Sequence, residues 1–167
     1  MRNNQGVSGI IAAILLVGLV VVAIGIVGLV IRNTISEQIE RTESCFGNFN
    51  KVTINNLYTC HNTSSGNLLI SLSIGDITVE KVLIAISGTG TTKSFEIHNS
   101  SSTITGFTNY PSGLDSVKLP SKNGGLTYIY DLTTGGFSGK PDKIEIAPTI
   151  SGTQCEISDS LLSIDDC

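Results

Sequence analysis

Hydrophobic residues are distributed along this chain in two unlike patterns. From Ile10 to Ile31 every residue is Ile, Leu, Val, Ala or Gly. As a helix rising ~1.5 Å per residue the run spans about 33 Å, enough to cross the ~30 Å hydrocarbon core of a bilayer. A core helix of a water-soluble domain carries one apolar stripe, whereas this one is apolar on all sides. It must therefore sit in lipid, be enclosed by protein, or do each in turn. Beyond it the pattern becomes one-sided. Ile31, Ile35 and Ile39 recur at i, i+4 and i+8, Glu37 and Arg41 form an i, i+4 pair, and no Gly or Pro intervenes before Ser44. The spacing predicts a single helix from about Val7 to about Ser44, with an Ile stripe that needs a surface to pack against. Gly18, Gly25 and Gly28 interrupt it; each costs ~1 kcal/mol against Ala but lets another helix approach closely.

After Cys45 the texture is Ser- and Thr-rich, with short apolar alternations. Expected strands are Lys51–Tyr58, Asn67–Ile74, Asp76–Ile86, Thr92–His98, Asp115–Leu119, Leu126–Leu132, Lys143–Ile150 and Gln154–Ile157. Turn signals such as Ser65-Gly66, Pro111-Ser112-Gly113 and Asn123-Gly124-Gly125 separate them. The expected class is α+β: one long N-terminal hydrophobic helix followed by an antiparallel, sandwich-like β domain. The expected segments are a leader, 1–6, the helix, 7–44, and the β domain, 45–167.

Composition narrows the function. Ten Lys plus Arg against fourteen Asp plus Glu give a formal charge of -4, with a pI near 5.0. No basic block is present, which argues against nucleic acid, whose binders neutralise phosphates. Cys45, Cys60, Cys155 and Cys167 all follow the apolar run and include no close-spaced pair of the zinc-ligand kind, so they read as two disulfides in an oxidising compartment. Three connectivities are possible, and closing the shortest loops favours Cys45–Cys60 with Cys155–Cys167. Asn62-Thr63-Ser64 and Asn99-Ser100-Ser101 are sequons suited to an exported chain.

The other candidate groups point to no reaction. His61 and His98 belong to no nucleophile or metal motif, and the acidic tail Glu156, Asp159, Asp165 and Asp166 has no recognisable calcium-loop spacing. Tyr58, Tyr110, Tyr128 and Tyr130 read as structural. No cofactor and no enzymatic activity are expected.

The N-terminus carries the most specific signal. A short polar leader with Arg2 ends at Gly6 and is followed at once by Val7-Ser8-Gly9-Ile10-Ile11-Ala12-Ala13-Ile14-Leu15. The apolar run is too long for a secretory leader and has no small-x-small site after it. The arrangement resembles the class III signal of type IV pilins, and Gly9 at the third mature position is similar to adhesion-type archaeal pilins. Bacterial pilins carry Glu where this chain has Ile11. The resemblance implies cleavage between Gly6 and Val7 by a prepilin peptidase, and storage of the helix in the membrane. It further implies assembly by a pilus machinery into a helical homopolymer on the cell surface. Archaellins, which share Gly9, are the nearest alternative, and a simple membrane anchor bearing a β ectodomain is another.

Overall fold

The computed structural model describes residues 5–111 and 113–167, without the side chains of 5–8, 10 and 33–44. The chain divides into two compact units, Met1–Thr42 and Glu43–Cys167. A single helix, α1, runs Gln5–Phe46. It begins two residues before the expected Val7, and it stops where Gly47 follows and Asn50 takes a left-handed φ of 62°. Ile11–Arg32 is long and apolar enough to cross a membrane.

The remaining elements are short strands. In chain order they are β1 (Val52–Ile54), β2 (Cys60–Asn62), β3 (Asn67–Ile74), β4 (Lys81–Gly88), β5 (Thr91–His98), β6 (Ser102–Thr103) and β7 (Phe107–Asn109). Then come β8 (Ser116–Val117), β9 (Gly124–Asp131), β10 (Lys143–Ile150), β11 (Thr153–Gln154), β12 (Asp159–Leu161) and β13 (Asp165–Asp166). One sheet has the order β13-β2-β3-β9-β7, with β1 also on β3; a second has β11-β10-β4-β5, with β12 also on β10; β6 and β8 form a ribbon. The domain is mostly antiparallel, β13 with β2 being the parallel pair.

Alternation explains the central strands. Leu68, Ile70, Leu72 and Ile74 of β3 point to one face and are buried, as are Val82, Ile84 and Ile86 of β4 and Ile144 and Ile146 of β10. Side chains of both sheets, with Tyr128 and Tyr130 of β9, join one hydrophobic cluster. Pro148 sits within β10 yet breaks no ladder. It falls between the stretch paired with β12 (Ile144–Ile146) and the stretch paired with β11 (Thr149–Ile150), where its carbonyl accepts from Cys155 N at 2.8 Å and no N–H is needed.

Four expected strands are shorter than their alternation suggests: Asp115–Leu119 keeps only Ser116–Val117, Gln154–Ile157 gives way to Thr153–Gln154, and the other two break at identifiable points. Asp76–Glu80 is the crossing from β3 to β4, between the two sheets; Ile77 N donates to Gly75 O and Asp76 pairs with Lys122 at 2.9 Å. Lys51–Tyr58 splits because Asn55 caps a single 3-10 turn, Asn56–Tyr58, by accepting from Leu57 N. That turn lifts the chain off β3, and Thr59 Oγ1 accepts from Ser71 N before β2 rejoins.

Candidate functional site

Two surfaces carry the residues that the sequence singled out. The first is α1. Every side chain from Ile11 to Arg32 is exposed in the single chain. A Cβ placed on Gly9, Gly18, Gly25 or Gly28 would meet nothing within 4 Å. Gly18 and Gly25, seven residues apart, lie on one face. Burying a fully exposed Val, Leu or Ile side chain is worth ~1.5–3 kcal/mol, so this helix in water would forfeit tens of kcal/mol. Such a surface calls for apolar surroundings, lipid or protein. Ile31 is exposed, while the side chains of Ile35 and Ile39 lie outside the described residues, as do those of Gly6 and Val7 and the whole of residues 1–4.

The second surface is a seam in the β unit, which sequence reasoning missed. The cysteines pair as Cys45–Cys155 and Cys60–Cys167, not as the local loops Cys45–Cys60 and Cys155–Cys167. The register gives the reason. Val52 lies opposite Ile74 and Cys60 opposite Leu69, so the chain from β1 to β2 advances in one direction along β3 and never doubles back. Five residues of strand separate those positions by ~17 Å, and a disulfide needs Cα atoms within ~7 Å. The C-terminal segment is split likewise, with Ser160 opposite Glu145 of one sheet and Asp166 opposite His61 of the other.

Segments 45–60 and 155–167 thus run side by side in the same direction, with a disulfide at each end. Between these staples Ser158 Oγ donates to Val52 O at 3.0 Å, and Ile54 N donates to Asp159 Oδ2 at 2.8 Å. Lys140 Nζ lies 3.0 Å from Asp166 and holds its carboxyl below the ordinary carboxylate range. His61 Nδ1 is 3.4 Å from the same carboxylate but has no hydrogen-bond partner. Asp159 and Asp166 are engaged in holding this seam, and no group of three His, Cys, Asp or Glu side chains suited to a metal is found among the described residues.

The remaining candidates fall elsewhere. His98 Nε2 is 3.7 Å from Glu96. Asn62 is half-buried, its Oδ1 accepting from Ser64 N and Ser65 N, whereas Asn99 is exposed at the end of β5. Tyr58 and Tyr110 are exposed; Tyr128 and Tyr130 are fully buried, and burial raises both phenols. An open groove of about 500 Å³ is lined by Ile104, Gly106, Phe107, Asp115 and Asp131 among others. Asp131 is tied up there, accepting from the backbone and hydroxyl groups of both Thr133 and Thr134, with the hydroxyl bonds chiefly responsible for holding its pKa at about 2. No protein-family model, curated protein or solved structure matches the chain.

Proposed function

We propose that this chain is the structural subunit of an extracellular filament of the type IV pilus kind, most similar to adhesion-type archaeal pilins. The observation that carries the reading is α1. Its 22-residue apolar stretch, Ile11–Arg32, is exposed on every side and bears glycines at which an added Cβ would meet nothing within 4 Å. A helix of this kind is satisfied in lipid as a stored monomer and in a bundle of its own copies as a polymer. Because lipid tails and neighbouring helices are equally apolar, the transfer has little hydrophobic driving force and needs an assembly machine.

In this reading the membrane peptidase cuts between Gly6 and Val7, which requires the helical turn at Gln5–Gly6 to open. The helix then forms the filament core, with Gly9, Gly18, Gly25 and Gly28 at close helix contacts. The β unit, its two sheets stacked as a sandwich, faces the outside, where Asn99 and Asn62 are available to a glycosylating host. The mechanism is assembly, not turnover, and attachment to surfaces or cells is the use.

The test is intact mass and N-terminal peptide mapping of protein recovered from the native cell surface. The expected product begins at Val7, comes from sheared filaments, and is four hydrogens lighter than the reduced chain. A chain that retains residues 2–6 and stays with the membrane overturns the proposal in favour of an anchored β module. Filaments recovered from swimming rather than attached cells would point to the archaellin alternative.

A further inference from the structure

Three segments far apart in sequence enclose an open groove of about 190 Å³ on the β unit. They are the crossing between the sheets (residues 76–80), the bend that follows β5, and the segment that leaves β8. Backbone hydrogen bonds hold them together: Asn99 N donates to Glu80 O at 2.9 Å, Leu119 N to His98 O at 2.8 Å, and Asn123 N to Gly75 O at 3.0 Å. Buried Tyr128 fixes the third segment, its hydroxyl donating to Lys118 O at 2.7 Å.

The groove has an apolar floor and a polar rim. Val79, Leu119 and Pro120 of the floor are buried and Ile77 is half-buried. Thr78, Asn99, Lys118 and Ser121 of the rim are exposed, and among the described residues their side chains make no hydrogen bond or ion pair. An apolar floor with a few polar groups is the make-up of a small-molecule site, although a drug-sized ligand usually takes ~300–1,000 Å³. This smaller groove has room for a single sugar ring, whose C–H face suits the floor and whose hydroxyls suit the rim.

One residue of the rim supplies the sugar. Asn99-Ser100-Ser101 is a sequon whose three residues are all exposed in the bend after β5, with the Asn99 carboxamide free. In the other sequon Asn62 is half-buried in β2, its carboxamide oxygen accepts from Ser64 N and Ser65 N, and it borders neither this groove nor the larger one.

We infer that Asn99 carries an N-linked glycan whose first sugar folds back into the groove beside it. In the joining step the carboxamide nitrogen bonds to the anomeric carbon of a sugar activated as a lipid phosphate or pyrophosphate. The anomeric C–O bond breaks, the lipid phosphate departs with its electron pair, and the nitrogen releases one proton. Because the groove begins at the attachment point, the sugar needs little affinity as a free ligand; a short tether holds it at an effective concentration of ~mM. Seated there, it covers Ile77 and ties the crossing to the segment after β8, bracing the place where the chain passes from one sheet to the other. The inference deepens the glycosylation in the filament reading and rests on its exported placement, not on polymerisation.

The experiment maps glycopeptides of the chain recovered from its native host, with sheared filaments and membranes kept apart, and follows hydrogen exchange of the intact chain in detergent. A sugar adduct is expected on the peptide holding Asn99 and is expected to be absent from Asn99→Gln and from Ser101→Ala. The hydrogen-bonded amides of Ile77, Glu80 and Leu119 are expected to exchange roughly fivefold slower in the glycosylated chain than in either variant. Lys118→Ala with Ser121→Ala, both at exposed positions, is expected to keep the adduct and lose most of that protection, which separates docking from attachment. A bare Asn99 overturns the inference. So does an adduct whose removal leaves exchange unchanged, which means a glycan projecting into solvent, and so does protection that survives loss of the rim groups. An adduct with its protection on uncut, membrane-held chain upholds the groove while the filament reading fails; filaments of chain beginning at Val7 with a bare Asn99 do the reverse.

Discussion

Gly135 gives the sharpest test of the β unit's interior. A Cβ at this position would collide with the Tyr130 hydroxyl oxygen and lie 2.9 Å from its Cζ and 2.9 Å from Phe137 Cδ2. Tyr130 cannot step aside, because it is 1% exposed and its ring is packed against Phe95 at 4.8 Å and Phe107 at 4.7 Å between centroids. Gly135→Ala therefore overpacks a full core, which costs roughly 1–3 kcal/mol. For a unit of this size about 2 kcal/mol lowers the unfolding midpoint by roughly 6–10 °C. The Tyr130 hydroxyl is buried without a hydrogen-bond partner, so Tyr130→Phe alone is expected to be neutral or slightly stabilising. It also deletes the atom in the closest clash. In the double variant the loss should shrink by about 1 kcal/mol, a coupling that independent sites do not give. The assay is thermal unfolding of the full chain in detergent, followed by near-ultraviolet circular dichroism for the four proteins of the cycle. If Gly135→Ala raises the midpoint, as Ala does where a loop tolerates it by ~0.4–1 kcal/mol, or if the two changes simply add, the packing of Tyr130 on Gly135 is refuted.

Other predictions concern the staples, a carboxylate and the helix. Non-reducing digestion should yield cystine peptides joining 45 to 155 and 60 to 167, and Cys60→Ala with Cys167→Ala should cost about 4–5 kcal/mol, as expected for a closed loop of ~100 residues. Peptides joining 45 to 60 would contradict the register of β1 and β2 on β3. The Asp131 carboxyl falls from its ordinary 3.8 to about 2 in the folded state, so its contribution is full above the unfolded value and is lost as pH falls between them. The stability gap between wild type and Asp131→Asn, measured by denaturant titration, should narrow from about pH 4 to about pH 2; a constant gap contradicts the Thr133 and Thr134 bonds, and solvent exposure keeps it small. On the proposed filament reading, Gly18→Leu should leave the amount of membrane-held chain unchanged while filament yield falls, because a Cβ at Gly18 meets nothing within 4 Å. Unchanged filaments would remove Gly18 from the helix contacts.

Much of the fold was legible because its signals are local. Alternation in Asn67–Ile74 and Lys143–Ile150 gives the limits of β3 and β10, since a strand's side chains face opposite ways regardless of its partners. The absence of polar side chains from Ile10 to Ile31 identifies the candidate span for the same reason. Ile77 and Val79 misled because alternation says nothing about where a chain must leave one sheet for another. The short strands β2, β6, β7, β12 and β13 were missed because two or three residues carry no period; they exist by virtue of the strands beside them.

The amino-acid sequence by itself determined the apolar helix, the change of texture near Cys45 and the principal strands, all written in neighbouring residues. It also determined that four cysteines would pair, but not how. Only the tertiary structure decided that 45–60 and 155–167 run in parallel, because that depends on which edge of each sheet the two segments join. From that one choice follow the two long-range staples. Proximity between residues about 110 apart is set by sheet topology, which no local pattern encodes.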